Sequence, residues 1–327
     1  MIPEDKKTAV AQALQCTFGV SEFESITPLT AGLSSALIFK IVVLGKPYLL
    51  RIITRTDVMS DPTRWYACMK DAADAGIAPR AWYMGGDDRI SITDFIEAKP
   101  FPLSEARVLL PEMVKRLQAL PRFPFRLNYL DAVDGFVQKF REAKILPESM
   151  TDELFRCYAK MMSIYSRHDA DQVSCHNDLK PENILFDGTR AWFVDWEAAF
   201  LNDRYMDIVV TANFVVDNYE QETEYLKRYL GEEVTEYHHA RFFLMSQVLH
   251  MAYFTFFMRI YAATGKPVDI DAARPDYRAF HNDIWDGKID LADDDARQQY
   301  AWLHMERMAR NFQIKRFEDS MAELLRS

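Results

Sequence analysis

Cysteine is scarce in this 327-residue chain and never clustered. Cys16, Cys68, Cys157 and Cys175 form no Cys-x-x-Cys pair, which argues against a disulfide framework or a cysteine zinc site and fits a reducing compartment. An apolar leader is missing too, because Met1-Ile2-Pro3-Glu4-Asp5-Lys6-Lys7 has no hydrophobic core, so a cytoplasmic location is expected. Positive charge is in deficit: 39 Lys and Arg against 49 Asp and Glu leave a formal net charge of -10. A general nucleic-acid binder carries a basic face, so nucleic acid is not an expected partner. A small molecule or a nucleotide is, since a few local cations with Mg²⁺ can meet its phosphates. One long uncharged run, residues 242–258, lacks Lys, Arg, Asp and Glu, but Ser246, Gln247, His250 and Thr255 interrupt it. A membrane span needs roughly 20 predominantly apolar residues, so this run reads as a buried core helix and no membrane partner is expected.

What is present is 49% hydrophobic residues, enough for one large core or two modest ones, and the length favours two domains. The first ~100 residues alternate short apolar runs with turn signals, as strands do. Residues 36–44 and 47–53 read as a hairpin about Gly45-Lys46, 62–75 as a helix stopped by Gly76 and Pro79, and 80–84 and 90–95 as two further strands. From Leu103 the spacing turns helical, with helices expected over 104–120, 134–143, 151–167, 205–218, 220–230, 236–263 and 293–310. Two prolines bracket a connector at 97–102, so the expected domains are 1–98, a nucleotide-binding sheet with one main helix, and 99–327, a mostly helical domain. The expected fold class is α+β, in two lobes.

Inside the helical half lies Cys175-His176-Asn177-Asp178-Leu179-Lys180-Pro181-Glu182-Asn183. It sets a potential base and a potential metal ligand five residues apart. A short strand at 184–186, the turn Asp187-Gly188-Thr189 and a strand at 191–194 follow, ending at Asp195. An aspartate that orients a substrate hydroxyl and two groups that hold Mg²⁺ are parts that phosphoryl transfer needs close together.

His176-Asn177-Asp178 through Asn183, then Val194-Asp195-Trp196-Glu197-Ala198-Ala199 with Asn202-Asp203, Tyr205 and Asp207-Ile208, resembles the choline/ethanolamine kinase branch of the aminoglycoside phosphotransferase-like family. The resemblance implies a protein-kinase-like fold with ATP between a small β-rich lobe and a larger helical lobe. It implies that Asp178 accepts or orients the proton of the attacking hydroxyl, that Asn183 and Asp195 hold Mg²⁺, and that His176 is a scaffold for the loop. Lys180, two residues beyond the base, is a candidate to meet the transferring phosphoryl group. Glu197 belongs near the metal or the substrate, or else on an exposed turn. Asp195-Trp196-Glu197 replaces the Asp-Phe-Gly of protein kinases and no Ala-Pro-Glu follows, so a small-molecule kinase is the better reading.

On the nucleotide side, Gly32 stands alone where a glycine-rich loop would be, leaving the Ser34 and Ser35 backbone and hydroxyl groups to cover phosphate. Arg51 on the third strand occupies the place of a phosphate-binding lysine and can grip phosphate oxygens bidentately. Asp94, Phe95 and Ile96 resemble the interlobe hinge that receives adenine. The first helix of the small lobe has no acid where kinases pair one with the strand cation; Asp61 or Asp71 substitutes, or phosphate alone orients Arg51. The acceptor is an alcohol, with choline or ethanolamine favoured by the resemblance. Tyr253, Phe254, Phe256, Phe257, Tyr261, Trp285 and Trp302 are candidate cation-π faces, and Asp207, Asp217 and Glu197 candidate anions. The alternatives are an aminoglycoside or sugar phosphotransferase and a non-catalytic nucleotide-binding protein.

Overall fold

The computed structural model describes residues 2–29, 36–165, 172–231 and 233–326. Helix α1 (Glu4–Phe18) precedes five strands, β1 (Ser25–Leu29), β2 (Leu37–Val43), β3 (Lys46–Ile52), β4 (Ala81–Gly85) and β5 (Ile90–Asp94), with α2 (Thr63–Asp74) between β3 and β4. The expected strand and helix order is therefore present, and the sheet is antiparallel in the order β1-β2-β3-β5-β4. The β2–β3 turn sits one residue earlier than expected. Val43 faces Lys46, and Leu44 and Gly45 both take positive φ, 51° and 72°, as a two-residue turn that matches strand twist requires.

Alternation along the strands decides what each sheet face does. Phe39, Ile41, Val43, Tyr48, Leu50 and Ile52 turn inward and pack with Val10, Ala13 and Leu14 of α1 into a small core. Strand side chains have a period of two, so Lys40, Leu49 and Arg51 fall on the other face, beside Ser91 and Thr93 of β5. Sequence analysis missed α1, although Val10, Ala13 and Leu14 show the i, i+3, i+4 spacing of one buried stripe.

The rest of the chain is mainly helical: α3 (Leu103–Gln118), α4 (Tyr129–Glu142), α5 (Glu148–Met162), α6 (Tyr205–Val215), α7 (Tyr219–Leu230), α8 (Glu236–Ala262), α9 (Tyr277–Trp285), α10 (Asp294–Gln313) and α11 (Lys315–Arg326). Helix α4 starts five residues earlier than expected, where the Asn128 side chain accepts from the Asp131 N–H. Helix α5 closes at Met162, and the expected end at 167 lies outside the described residues. Helix α8 carries the uncharged run and packs against α4, α6, α10 and α11, which explains a helix apolar nearly all round. Among the described residues no helix is long and apolar enough to cross a membrane.

Between α5 and α6, short strands β6 (Gln172–Cys175) and β9 (Phe200–Asp203) pair with each other, and β7 (Ile184–Phe186) pairs with β8 (Ala191–Phe193). The buried side of α2, Trp65, Cys68 and Ala72, belongs to the larger core of the helical part rather than to the sheet core. Backbone bonds reinforce this attachment: Phe193 N–H donates to Ile77 O at 2.9 Å, just past α2, and Lys99 N–H to Phe186 O at 2.7 Å.

Candidate active site

Each expected catalytic residue sits in a segment whose shape is set by pairing elsewhere. The β6–β9 and β7–β8 pairs fix both ends of the loop 176–183, and Val194 N–H donates to Asn183 O at 3.0 Å, drawing the end of β8 onto that loop. Asn177 and Asp195 hold positive φ, 66° and 65°, a conformation costly for residues other than glycine unless surroundings enforce it. For Asn177 the enforcement is visible. Its amide donates to Ala198 O at 2.9 Å and its Oδ1 accepts from Asn202 at 2.8 Å.

Asp207, at the start of α6, supplies the main anchor. It is wholly buried, and its two oxygens accept from the His176 N–H at 2.8 Å and the Asn177 N–H at 2.7 Å. The expectation that it meets the substrate therefore fails, because both oxygens serve the loop backbone. His176 is equally buried; its Nε2 lies 2.9 Å from Val194 O and its ring packs on Trp196. Burial drives its pKa down to about 4, so the ring is a neutral support, as expected.

Asp178 receives the Asn183 amide on Oδ2 at 2.9 Å, and the same amide also donates to Asp178 O at 2.7 Å. These two bonds occupy the Asn183 NH₂ and leave its carbonyl oxygen without a role in holding Asp178. Desolvation raises Asp178 to about 6, with Lys180, 3.4 Å away, opposing and Asp195 assisting. A base with that pKa is ionised at neutral pH yet still basic enough to take a proton. With Asp178 as the base that the sequence leads one to expect, the sign of the pH dependence follows: protonation below about 6 would remove it, so kcat/KM should fall about tenfold per pH unit below that point and level off above it. A rate profile flat between pH 5 and 7.5 would remove Asp178 from that role.

Arg51 crosses from the sheet to this loop. Its guanidinium donates to Asp195 Oδ1 at 2.6 Å and to Glu197 Oε2 at 3.0 Å. Neither Asp61 nor Asp71 stands in for the absent helix acid. Asp61 accepts from the Thr63 N–H and hydroxyl at the start of α2, and Arg51 pairs with neither. Asp94 ends β5, where its carboxylate accepts from Trp82 Nε1 at 2.7 Å, and half-buried Phe95 and Ile96 follow on the connector to α3. Gly32, Ser34 and Ser35 lie outside the described residues.

The fit to Mg²⁺ rests on donor chemistry. Asn183 and Asp195 offer oxygen ligands, few in number, and Mg²⁺ is commonly held by one or two carboxylates with substrate phosphates completing the shell.

Of the aromatic candidates, Tyr253 is near enough to Asp178 to feel its charge, as is Tyr129, which sequence analysis missed. Tyr253 also packs on Tyr300 at 5.5 Å and His304 at 5.0 Å. Phe257 packs on Tyr253 at 5.8 Å, whereas Phe254 packs on Phe140, Phe256 on Phe136, Tyr261 donates to Pro267 O, Trp285 donates to Phe101 O, and Trp302 lies under Arg274. Asp217 is engaged by Arg107 and Arg278. Spacing along one helix could not reveal that Tyr129 of α4 and Tyr253 of α8 come within reach of the same carboxylate.

Comparison with known proteins agrees with this geometry. The profile of the phosphotransferase enzyme family (APH) matches residues 25–243. Protein LicA of Haemophilus influenzae is 31% identical over 131 residues, which take in 35% of this chain and 38% of that relative, so the match spans well under half the relative's length. Among solved structures, a choline/ethanolamine kinase family protein from Mesorhizobium loti superposes with a TM-score of 0.68 at 19% identity, covering 98% of this chain and all of the other. Choline kinase LicA from Streptococcus pneumoniae gives 0.60 at 14% identity, over 93% of this chain and all of the other. These two likenesses establish the protein-kinase-like fold. With Asp178, Asn183 and Asp195 gathered by that fold and two thirds of its length matched by one profile, the chain belongs to the phosphotransferase enzyme family.

Proposed function

We propose that the protein is an ATP- and Mg²⁺-dependent small-molecule kinase that phosphorylates the hydroxyl of choline or a related amino alcohol. The observation that carries the reading is Asp178, whose Oδ2 accepts from the Asn183 amide at 2.9 Å and lies 3.4 Å from Lys180 Nζ, with Tyr129 and Tyr253 within reach of its charge. In this reading the acceptor hydroxyl hydrogen-bonds to Asp178, which takes its proton as the oxygen attacks the γ-phosphorus in line. Lys180 offers a point charge to the phosphoryl oxygens, and Arg51 holds the nucleotide phosphates from the sheet side. Asn183 and Asp195 would hold Mg²⁺, which neutralises phosphate charge when bound. The hinge at Asp94, Phe95 and Ile96 would receive adenine.

The acceptor side favours a compact cation. Tyr129 and Tyr253 are half-buried aromatic side chains, and the charge of Asp178 reaches both. A quaternary ammonium needs aromatic faces and diffuse negative charge rather than hydrogen-bond acceptors. A polyamine sugar needs several free carboxylates, and Asp217, one of the acids expected to meet substrate, is engaged by two arginines. Purified protein with ATP and Mg²⁺ should release ADP with choline or ethanolamine and not with kanamycin or glucose. Turnover of kanamycin alone would change the acceptor class. ATP binding without ADP release on any alcohol would leave a nucleotide-binding protein.

A further inference from the structure

Kinases of this architecture need their strand cation aimed, and α2 of this chain offers no acid to do it. The segment Arg64-Trp65-Tyr66-Ala67-Cys68-Met69-Lys70 is cationic or apolar where the carboxylate would stand. Instead Arg64 of α2 donates through Nη2 to Glu197 O at 3.2 Å, and Glu197 accepts from Arg51 Nη2 at 3.0 Å. The polarity of the contact is reversed: the helix brings a cation to the 195–198 segment, and that segment brings the acid to the strand. We propose that Glu197 is the positioning residue for Arg51, doing from the segment after β8 what a helix glutamate does in other kinases. This rests on the kinase reading above.

Three features favour that role over an accidental surface pair. The Arg51 side chain is only 13% exposed, so its direction is fixed by what it meets at the end of β3. Asp195 accepts from one terminal nitrogen and Glu197 from the other, so the Glu197 bond does not depend on the one to Asp195. Finally, Glu197 is held at its own backbone by Arg64 and by the short helical turn Trp196–Ala198, whose Trp196 side chain is buried. An ion pair anchored at both ends loses less side-chain freedom on forming than a free surface pair does.

The role separates from metal binding in metal-free conditions. Glu197→Gln should weaken binding of ATP in EDTA, followed by calorimetry, by about tenfold. It should raise KM for ATP comparably, while KM for the acceptor and the Mg²⁺ concentration for half-maximal rate stay within twofold. Buried Tyr66 of α2 lies within the field of Arg51, so adding Tyr66→Glu to Glu197→Gln should return most of the lost ATP affinity. A double-mutant cycle between Glu197→Gln and Arg51→Lys gives a second reading that does not depend on Tyr66→Glu folding; the two losses should be strongly non-additive, as for residues in direct contact. Additive losses, or an unchanged metal-free ATP affinity in Glu197→Gln, would overturn the assignment and leave the kinase reading intact. A shift confined to the Mg²⁺ requirement would make Glu197 a metal ligand instead. Wild-type protein that binds no ATP would overturn both.

Discussion

Replacing Asp178 by Asn should lower kcat by roughly 10²- to 10⁴-fold, the usual contribution of a positioned general base. The change preserves shape. Asn183 donates to Asp178 Oδ2 and to its backbone oxygen, and an asparagine carbonyl can still accept the first of these bonds. What disappears is proton affinity, together with the negative charge that holds Lys180 at 3.4 Å. ATP binding should therefore persist within a few-fold, because Arg51, Asn183 and Asp195 are untouched. Steady-state kinetics beside nucleotide titration separates the two effects, and a loss in kcat below tenfold would mean the proton leaves by another route.

Asp207→Ala should cost about 2–6 kcal/mol of folding stability, since one buried and one part-buried N–H donor each lose an ionised acceptor at roughly 1–3 kcal/mol apiece. No water can readily replace a carboxylate at a wholly buried position. A domain with ~5–15 kcal/mol in total would lose much of its reserve. Asp207→Asn should cost less, because one amide oxygen still accepts, but its NH₂ then faces a donor, the N–H of His176 or Asn177. Urea denaturation should show a lower midpoint at unchanged slope for both variants, in the order alanine below asparagine. A shift under 1 kcal/mol for the alanine variant would mean that the loop backbone finds other partners. This effect falls on folding first and on activity through it, which distinguishes Asp207 from Asp178.

The catalytic loop was legible because its chemistry is local: Asp178 and Asn183 are five residues apart and Asp195 twelve further on. The β2–β3 hairpin, to within one residue of its turn, the main helices and the long uncharged run of α8 were legible for the same reason, since each periodicity is complete within one segment. What stayed hidden depends on distant pairing. Strands β6 and β9 are four residues each and find one another across the loop, so neither carries a pattern of its own. Asp207 looked like a free acid because nothing in its neighbours shows that it sits under two N–H groups thirty and thirty-one residues away. Glu197 looked ambiguous because its partner, Arg51, lies 146 residues earlier. The acids that meet Arg51 lie neither in α2 nor beside it but just after the end of β8.

The attachment of α2 bears on control. In kinases that are switched, a helix in this place swings between two seats and a long segment after the metal aspartate moves with it. Here the buried side of α2 is part of the larger core, Ile77 beyond it is bonded to Phe193, and Arg190 donates to Gly76 O at 3.1 Å. Only four residues separate Asp195 from β9, which begins at Phe200. A helix moored in this way would have to break that packing and those bonds to swing. Turnover in such an enzyme would be governed by how much protein, nucleotide and acceptor the cell provides rather than by a latch on the enzyme itself.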